Sequence, residues 1–132
     1  MGLELVDTHC HLDLEPLAAA VEAVLERARA AGVRWCISIG TTVEASRANA
    51  ALARRFPTVR AAVGVHPNEA ETVTDETFSA IEALTAEPGV VAVGEVGLDH
   101  YRQQASPASQ ERALRGFVAV ARRRPPTLAA RS

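Results

Sequence analysis

The sequence predicts an α/β fold built on a parallel sheet. Three observations predict it. Short apolar runs alternate with longer Ala/Leu-rich stretches of helical period, helix start and stop signals fall between them, and the residues richest in chemistry stand just after the apolar runs.

The elements follow in order. Leu3 to Val6 is a short strand. From Pro16 to about Ala31, Leu17, Val21, Val24, Leu25 and Ala28 recur at helical spacing, and Gly32 stops that helix. Val33 to Ile39 is a second strand, apolar on both faces apart from Arg34 and Ser38. Thr41 and Glu44 have capping-box spacing and open a helix that runs to about Phe56, ahead of Pro57. Val59 to Val65 is a third strand. Thr74 or Asp75 caps a helix to about Ala86, closed by Pro88-Gly89, and Val90 to Val93 is a fourth strand. Ser106-Pro107 reads as an N-cap followed by proline at the first helical position, starting a helix through about Arg122. Thr127 to Ala130 is a candidate fifth strand of four residues.

The 132 residues, 48% hydrophobic and 23% charged, suit one soluble globular domain over 1–132, with a divergent Arg/Pro-rich tail from about 122. A formal net charge of -2 gives no sign of a nucleic-acid coat or a polybasic membrane binder. Cys10 and Cys36 make no disulfide framework and fit a reducing compartment. The N-terminus lacks the basic and apolar regions of a signal peptide, and no apolar run approaches the ~20 residues that span a bilayer. The expectation is a cytoplasmic protein without a membrane partner.

Asp7-Thr8-His9-Cys10-His11 follows the first strand, His66-Pro67-Asn68 the third, and Glu95 the fourth, with Asp99-His100 just beyond. In a parallel α/β sheet the carboxyl ends of the strands share one face, so these residues can converge. His9 and His11, two apart in extended chain, point to the same side and can reach one cation. The alternative is one packed and one solvated imidazole. Glu95, directly after a buried strand, needs a partner: a metal, hydrogen bonds or an arginine. His66 is held extended by Pro67 and is either structural or part of the site. Asp13 and Asp99 are helix caps, acceptors for the histidine N–H groups, or both. Cys10 alternates away from the two histidines and should pack. Gly94 and Gly97 give backbone room rather than a phosphate loop. No serine stands in a nucleophile elbow, and Cys10 has no helix N-terminus to activate it. Arg122-Arg123-Arg124 reads as a solvated helix end.

Val6-Asp7-Thr8-His9-Cys10-His11-Leu12-Asp13 resembles the opening signature of TatD-type metal hydrolases. Gly64-Val65-His66-Pro67 resembles their second, and the stretch from Ala92 through Gly94-Glu95-Val96-Gly97-Leu98-Asp99 to Arg102 their third. The resemblance runs from about Leu3 to Ala121 and includes Gln110 and Phe117. His-x-His alone would also suit amidohydrolases or histidinol-phosphatase-type phosphoesterases. The resemblance implies a (β/α)₈ TIM barrel, of which this chain would supply roughly half, and divalent-metal-dependent hydrolysis of phosphodiester bonds in DNA. It implies one or two ions (Mg²⁺, Mn²⁺ or Zn²⁺), with His9 and His11 on one and Glu95 bridging both as the catalytic carboxylate. His66, Asp99 and Asp7 would support the site or touch substrate. The family pattern expects another histidine where Ala129 or Ala130 stands, and further ligands beyond. The expectation is therefore a truncated or frameshifted chain of weak or absent activity, the alternative being a non-enzymatic remnant or metal-binding half-barrel. Open sheet edges and an uncovered face of Val, Ile and Ala would favour self-association.

Overall fold

The structure is a computed structural model and describes residues 2–124. Four strands alternate with four helices: β1 Leu5–Cys10, α1 Val21–Ala30, β2 Val33–Ile39, α2 Val43–Arg55, β3 Val59–Val63, α3 Asp75–Leu84, β4 Val90–Val93 and α4 Pro107–Arg123. All three pairings are parallel and the strand order is β1-β2-β3-β4. This is the α/β architecture the alternation predicts.

The core lies between the sheet and α2, α3 and α4. Val59, Ala61 and Val63 of β3 are wholly buried, as are Ile81 of α3 and Val120 of α4. Phe117 of α4 meets Phe78 of α3 edge-to-face, ring centroids 5.0 Å apart. α1 buries no residue fully, and β1 is exposed along most of its length. The helical ends obey local chemistry. Gly32 takes φ +93° after α1, where a side chain would be strained. Ser106 accepts from the Ser109 N–H ahead of Pro107 at the start of α4. At the other end of α4, Arg123 makes a two-pronged ion pair with Glu82.

Several boundaries differ from expectation. β1 begins at Leu5 and runs on through His9 to Cys10, so the first motif is part of the strand rather than a loop after it. The parallel ladder to β2 continues there, with Asp7 opposite Cys36 and Cys10 opposite Ser38. The expected helix from Pro16 divides into a 3₁₀ turn, Ala18–Ala20, and α1, because Ala20 leaves helical geometry at φ -151°. Thr42, not Thr41, caps α2, accepting from the Ala45 N–H; Glu44 then falls one position early for a capping box. β3 ends at Val63, two residues short of Val65. α3 starts after Thr74, which caps it with Thr77, and ends at Leu84 rather than Ala86. A 3₁₀ turn at Pro67–Thr72 was not foreseen. The candidate fifth strand, Thr127 to Ala130, lies outside the described residues. No helix among the described residues is long and apolar enough to cross a membrane.

Candidate metal centre

β1 and β4 are the outer strands of the sheet. Three strand spacings put them about 14 Å apart if the sheet were flat. A side chain from the end of β4 meets one from β1 only if the sheet curls and the chain after β4 turns inward. The chain does turn. Gly94 N–H donates to the Val63 carbonyl at 2.9 Å, and Glu95 N–H then donates to the Gly40 carbonyl, beyond β2, also at 2.9 Å. The segment thus crosses the end of β3. Gly64 makes room for that crossing, since a Cβ there would lie 2.8 Å and 2.9 Å from the Gly94 carbonyl carbon and oxygen. His66 is tied down in the same way, its N–H donating to the Thr41 carbonyl at 2.9 Å.

The crossing brings one ligand atom each from His9, His11 and Glu95 within 4.8 Å of one another. His9 Nε2 is 3.7 Å from Glu95 Oε2, and His66 Nε2 is 3.6 Å from Glu95 Oε1. These separations are too long for hydrogen bonds. Two ligand bonds of ~2.1 Å at a tetrahedral angle separate their atoms by about 3.4 Å, so the spacing suits donors sharing one cation. Glu95 therefore takes imidazoles as neighbours instead of the arginine weighed above.

The two tautomers are set differently. His11 Nδ1 lies 2.9 Å from the Ile39 carbonyl. A carbonyl only accepts, so Nδ1 carries the proton and Nε2 keeps a free lone pair for a metal. His66 Nδ1 accepts from the Asn68 N–H at 3.1 Å, so the neutral ring carries its proton on Nε2, the atom facing Glu95. His66 thus turns an N–H toward Glu95, and His11 keeps a free ring lone pair.

Of the acidic residues around the cluster, Asp7 and Asp99 accept from backbone N–H groups and Asp13 from a side chain. Asp7 accepts from the His9 backbone N–H at 3.0 Å. Asp13 and Asp99 do not receive histidine N–H groups, contrary to one expectation. Asp13 accepts from Asn49 Nδ2, and Asp99 takes the N–H groups of Tyr101 and Arg102. The Arg102 backbone N–H, aided by its guanidinium and the Tyr101 N–H, holds the Asp99 carboxyl below its usual range. Cys10 packs as expected, its thiol 3.4 Å from the Ile37 carbonyl and pushed up to about 12 chiefly by burial.

Three buried polar residues that sequence reasoning left unassigned brace this region. Ser46 Oγ both donates to the Gly64 carbonyl and accepts from its N–H, each at 3.0 Å. Gln110, named above only as lying within the span of the resemblance, accepts from the Asp99 N–H and donates to the carbonyls of Asp99 and Ala105. Asn49 is the third. A signal for two of them was present. Ser46, Asn49, Ala50 and Ala53 share the inward stripe of α2 at i, i+3, i+4, i+7, which puts two polar residues at core spacing. Asn68 Oδ1, just past His66, is buried without a hydrogen-bond partner among the described residues.

A family model described as TatD related DNase matches residues 6–125. The chain is 45% identical over 93 residues to a 3'-5' ssDNA/RNA exonuclease TatD of Cronobacter turicensis, covering 70% of this chain and 35% of the relative. It is 40% identical over 99 residues to an uncharacterized metal-dependent hydrolase TatD of Mycobacterium tuberculosis, covering 74% and 38%. The crystal structure of YJJV, a TatD homolog from Escherichia coli, superposes with a TM-score of 0.83 at 34% identity, covering 89% of this chain and 46% of that one. The chain thus spans less than half the length of each of these relatives.

Proposed function

The chain belongs to the TatD related DNase family, and we propose that it holds one divalent cation through His9, His11 and Glu95 for the hydrolysis of phosphodiester bonds in single-stranded nucleic acid, DNA above all. The convergence of these three donors from opposite edges of the sheet carries the reading. The substrate class rests on the family and on the exonuclease named among its relatives. A divalent cation there supplies a Lewis acid for phosphate oxygens and makes water acidic enough to be a nucleophile near neutral pH. Of Mg²⁺, Mn²⁺ and Zn²⁺, the imidazole pair suits Zn²⁺ best. His11 presents Nε2 because Ile39 holds its other nitrogen. His66 presents an Nε2–H to Glu95 or to a phosphate oxygen at the same place. The free thiols of Cys10 and Cys36 favour a reducing compartment, the cytoplasm, for this activity.

These three donors form one cluster among the described residues, so a second ion would have Glu95 alone. Slow turnover is therefore expected from the 132-residue chain, since groups that act as a unit lose most of the rate when one is missing. The test uses labelled single-stranded DNA with added Mn²⁺ or Zn²⁺. Slow cleavage that stops with chelator and in Glu95→Ala supports the reading. Cleavage that survives Glu95→Ala, or a chain that takes up no cation, overturns it.

We also propose that the 132-residue chain self-associates. β1 and β4 each pair on one side only among the described residues, and Leu5 and Val6 on β1 are 42% and 54% exposed. Sedimentation at rising concentration should show species larger than a monomer; a single monomeric boundary throughout counts against this.

A further inference from the structure

We propose that Asn49 is a positioning residue of the metal centre, holding the 11–13 segment, and with it the His11 imidazole, through Ser38. The inference rests on the metal reading above. Asn49 sits on the inward stripe of α2 and Ser38 on β2, and both are completely buried, at 0% exposure. A primary amide in such a place is costly unless paired, and a residue wanted only for its volume would be apolar.

Both ends of the amide are paired. Ser38 Oγ–H donates to Asn49 Oδ1 at 2.5 Å, and Asn49 Nδ2 donates to Asp13 Oδ1 at 3.0 Å. Because its proton goes to Asn49, the Ser38 hydroxyl keeps its lone pairs for the Leu12 N–H, which donates to it at 2.9 Å. Leu12 and Asp13 are the two residues directly after His11, and the His11 ring is bonded to the carbonyl of Ile39, the residue next to Ser38. Residues 11–13 are therefore moored at three consecutive points, two on β2 and one on α2. Asn49 is common to two of them: directly at Asp13, and at Leu12 by fixing the Ser38 hydroxyl. Without it that hydroxyl is free to rotate, and the Leu12 anchor competes with other orientations.

The test compares Asn49→Ala with Val120→Ala, a core substitution on α4, using urea midpoints to match their stability losses. Two readouts follow. One is Co²⁺ affinity by calorimetry. The other is solvent exchange of the His11 Nδ1–H by NMR in the metal-free chain. Asn49→Ala should weaken Co²⁺ binding about tenfold or more, the range for residues that orient ligands, and speed His11 exchange. Val120→Ala should leave both unchanged. Asp13→Asn retains an oxygen to accept from Asn49 and should stay within about twofold of the parent in affinity, because the mooring bond survives. Should Asn49→Ala fail to fold, Ser38→Ala carries the same expectation. The proposal is overturned if the folded variant keeps parental affinity and His11 protection, or if Val120→Ala produces the same losses. Asp13→Asn losing as much as Asn49→Ala overturns it too, since the charge of Asp13 would then be what matters. A parent chain that takes up no Co²⁺ would count against the metal reading, while His11 exchange still decides the positioning role.

Discussion

Alanine at His9 or at His11 is expected to weaken divalent-cation binding by about 100-fold or more, beyond the 10–100-fold typical of residues that merely support a ligand. Alanine at His66 should weaken binding by no more than about tenfold, the low end of the range for residues outside the ligand set. The contrast follows from tautomers rather than from distance, because His66 is as near to Glu95 as His9 is, at 3.6 Å against 3.7 Å. His66 Nδ1 is already an acceptor for the Asn68 N–H. Turning Nε2 into a lone-pair donor would put the proton on Nδ1, against that N–H. Removing His9 or His11 leaves two of three donors, and water must fill the gap. Titration calorimetry with Zn²⁺ and Mn²⁺ separates the cases, and DNA cleavage by His66→Ala should fall more than its metal affinity. Equal loss of binding in His66→Ala and His9→Ala would show that His66 is a ligand and that the tautomer argument fails.

The parts of the fold legible in the sequence are those fixed by neighbours along the chain. β2 and β4 have the expected bounds because each is a largely apolar run closed by a turn, a signal that lies wholly within the run and its flanks. Gly32 and Ser106 mark helix ends through their own backbone and hydroxyl chemistry. β1 was misjudged because its second half, Asp7-Thr8-His9, is polar. An exposed edge strand carries no core pattern to reveal it, and only pairing with β2 defines it. For the site, the order of motifs after strands made the meeting of His9, His11, His66 and Glu95 foreseeable. The means of that meeting was not. Curl of the sheet and passage of residues 94–96 over β3 are long-range geometry, and so is the bracing by Ser46 and Asn49, whose partners lie far along the chain. Gly64, which the sequence offers only as the first residue of the second motif, is the glycine the crossing requires.

Gly64→Ala is accordingly expected to cost about 1–3 kcal/mol of stability, the range for overpacking, and to weaken cation binding about tenfold, as a displaced supporting contact does. Gly94→Ala should do neither. Both glycines lie at the same crossing and neither takes a positive φ, so the difference is one of space. A Cβ on Gly94 would meet only the Ala62 Cβ, at an ordinary 3.8 Å. On Gly64 it would press the Gly94 carbonyl at 2.8–2.9 Å, and backbone cannot swing aside as a side chain can. The end of β3 cannot retreat either, because Ser46 grips both the N–H and the carbonyl of Gly64 from a fully buried position. The segment that must yield is Gly94-Glu95, whose hold on Gly40 keeps the carboxylate over β1. Urea midpoints and Mn²⁺ titrations of the two variants measure both consequences. A Gly64→Ala chain with parental midpoint and affinity would show that the crossing has slack, and that Glu95 is positioned by something other than the close approach of these two backbones.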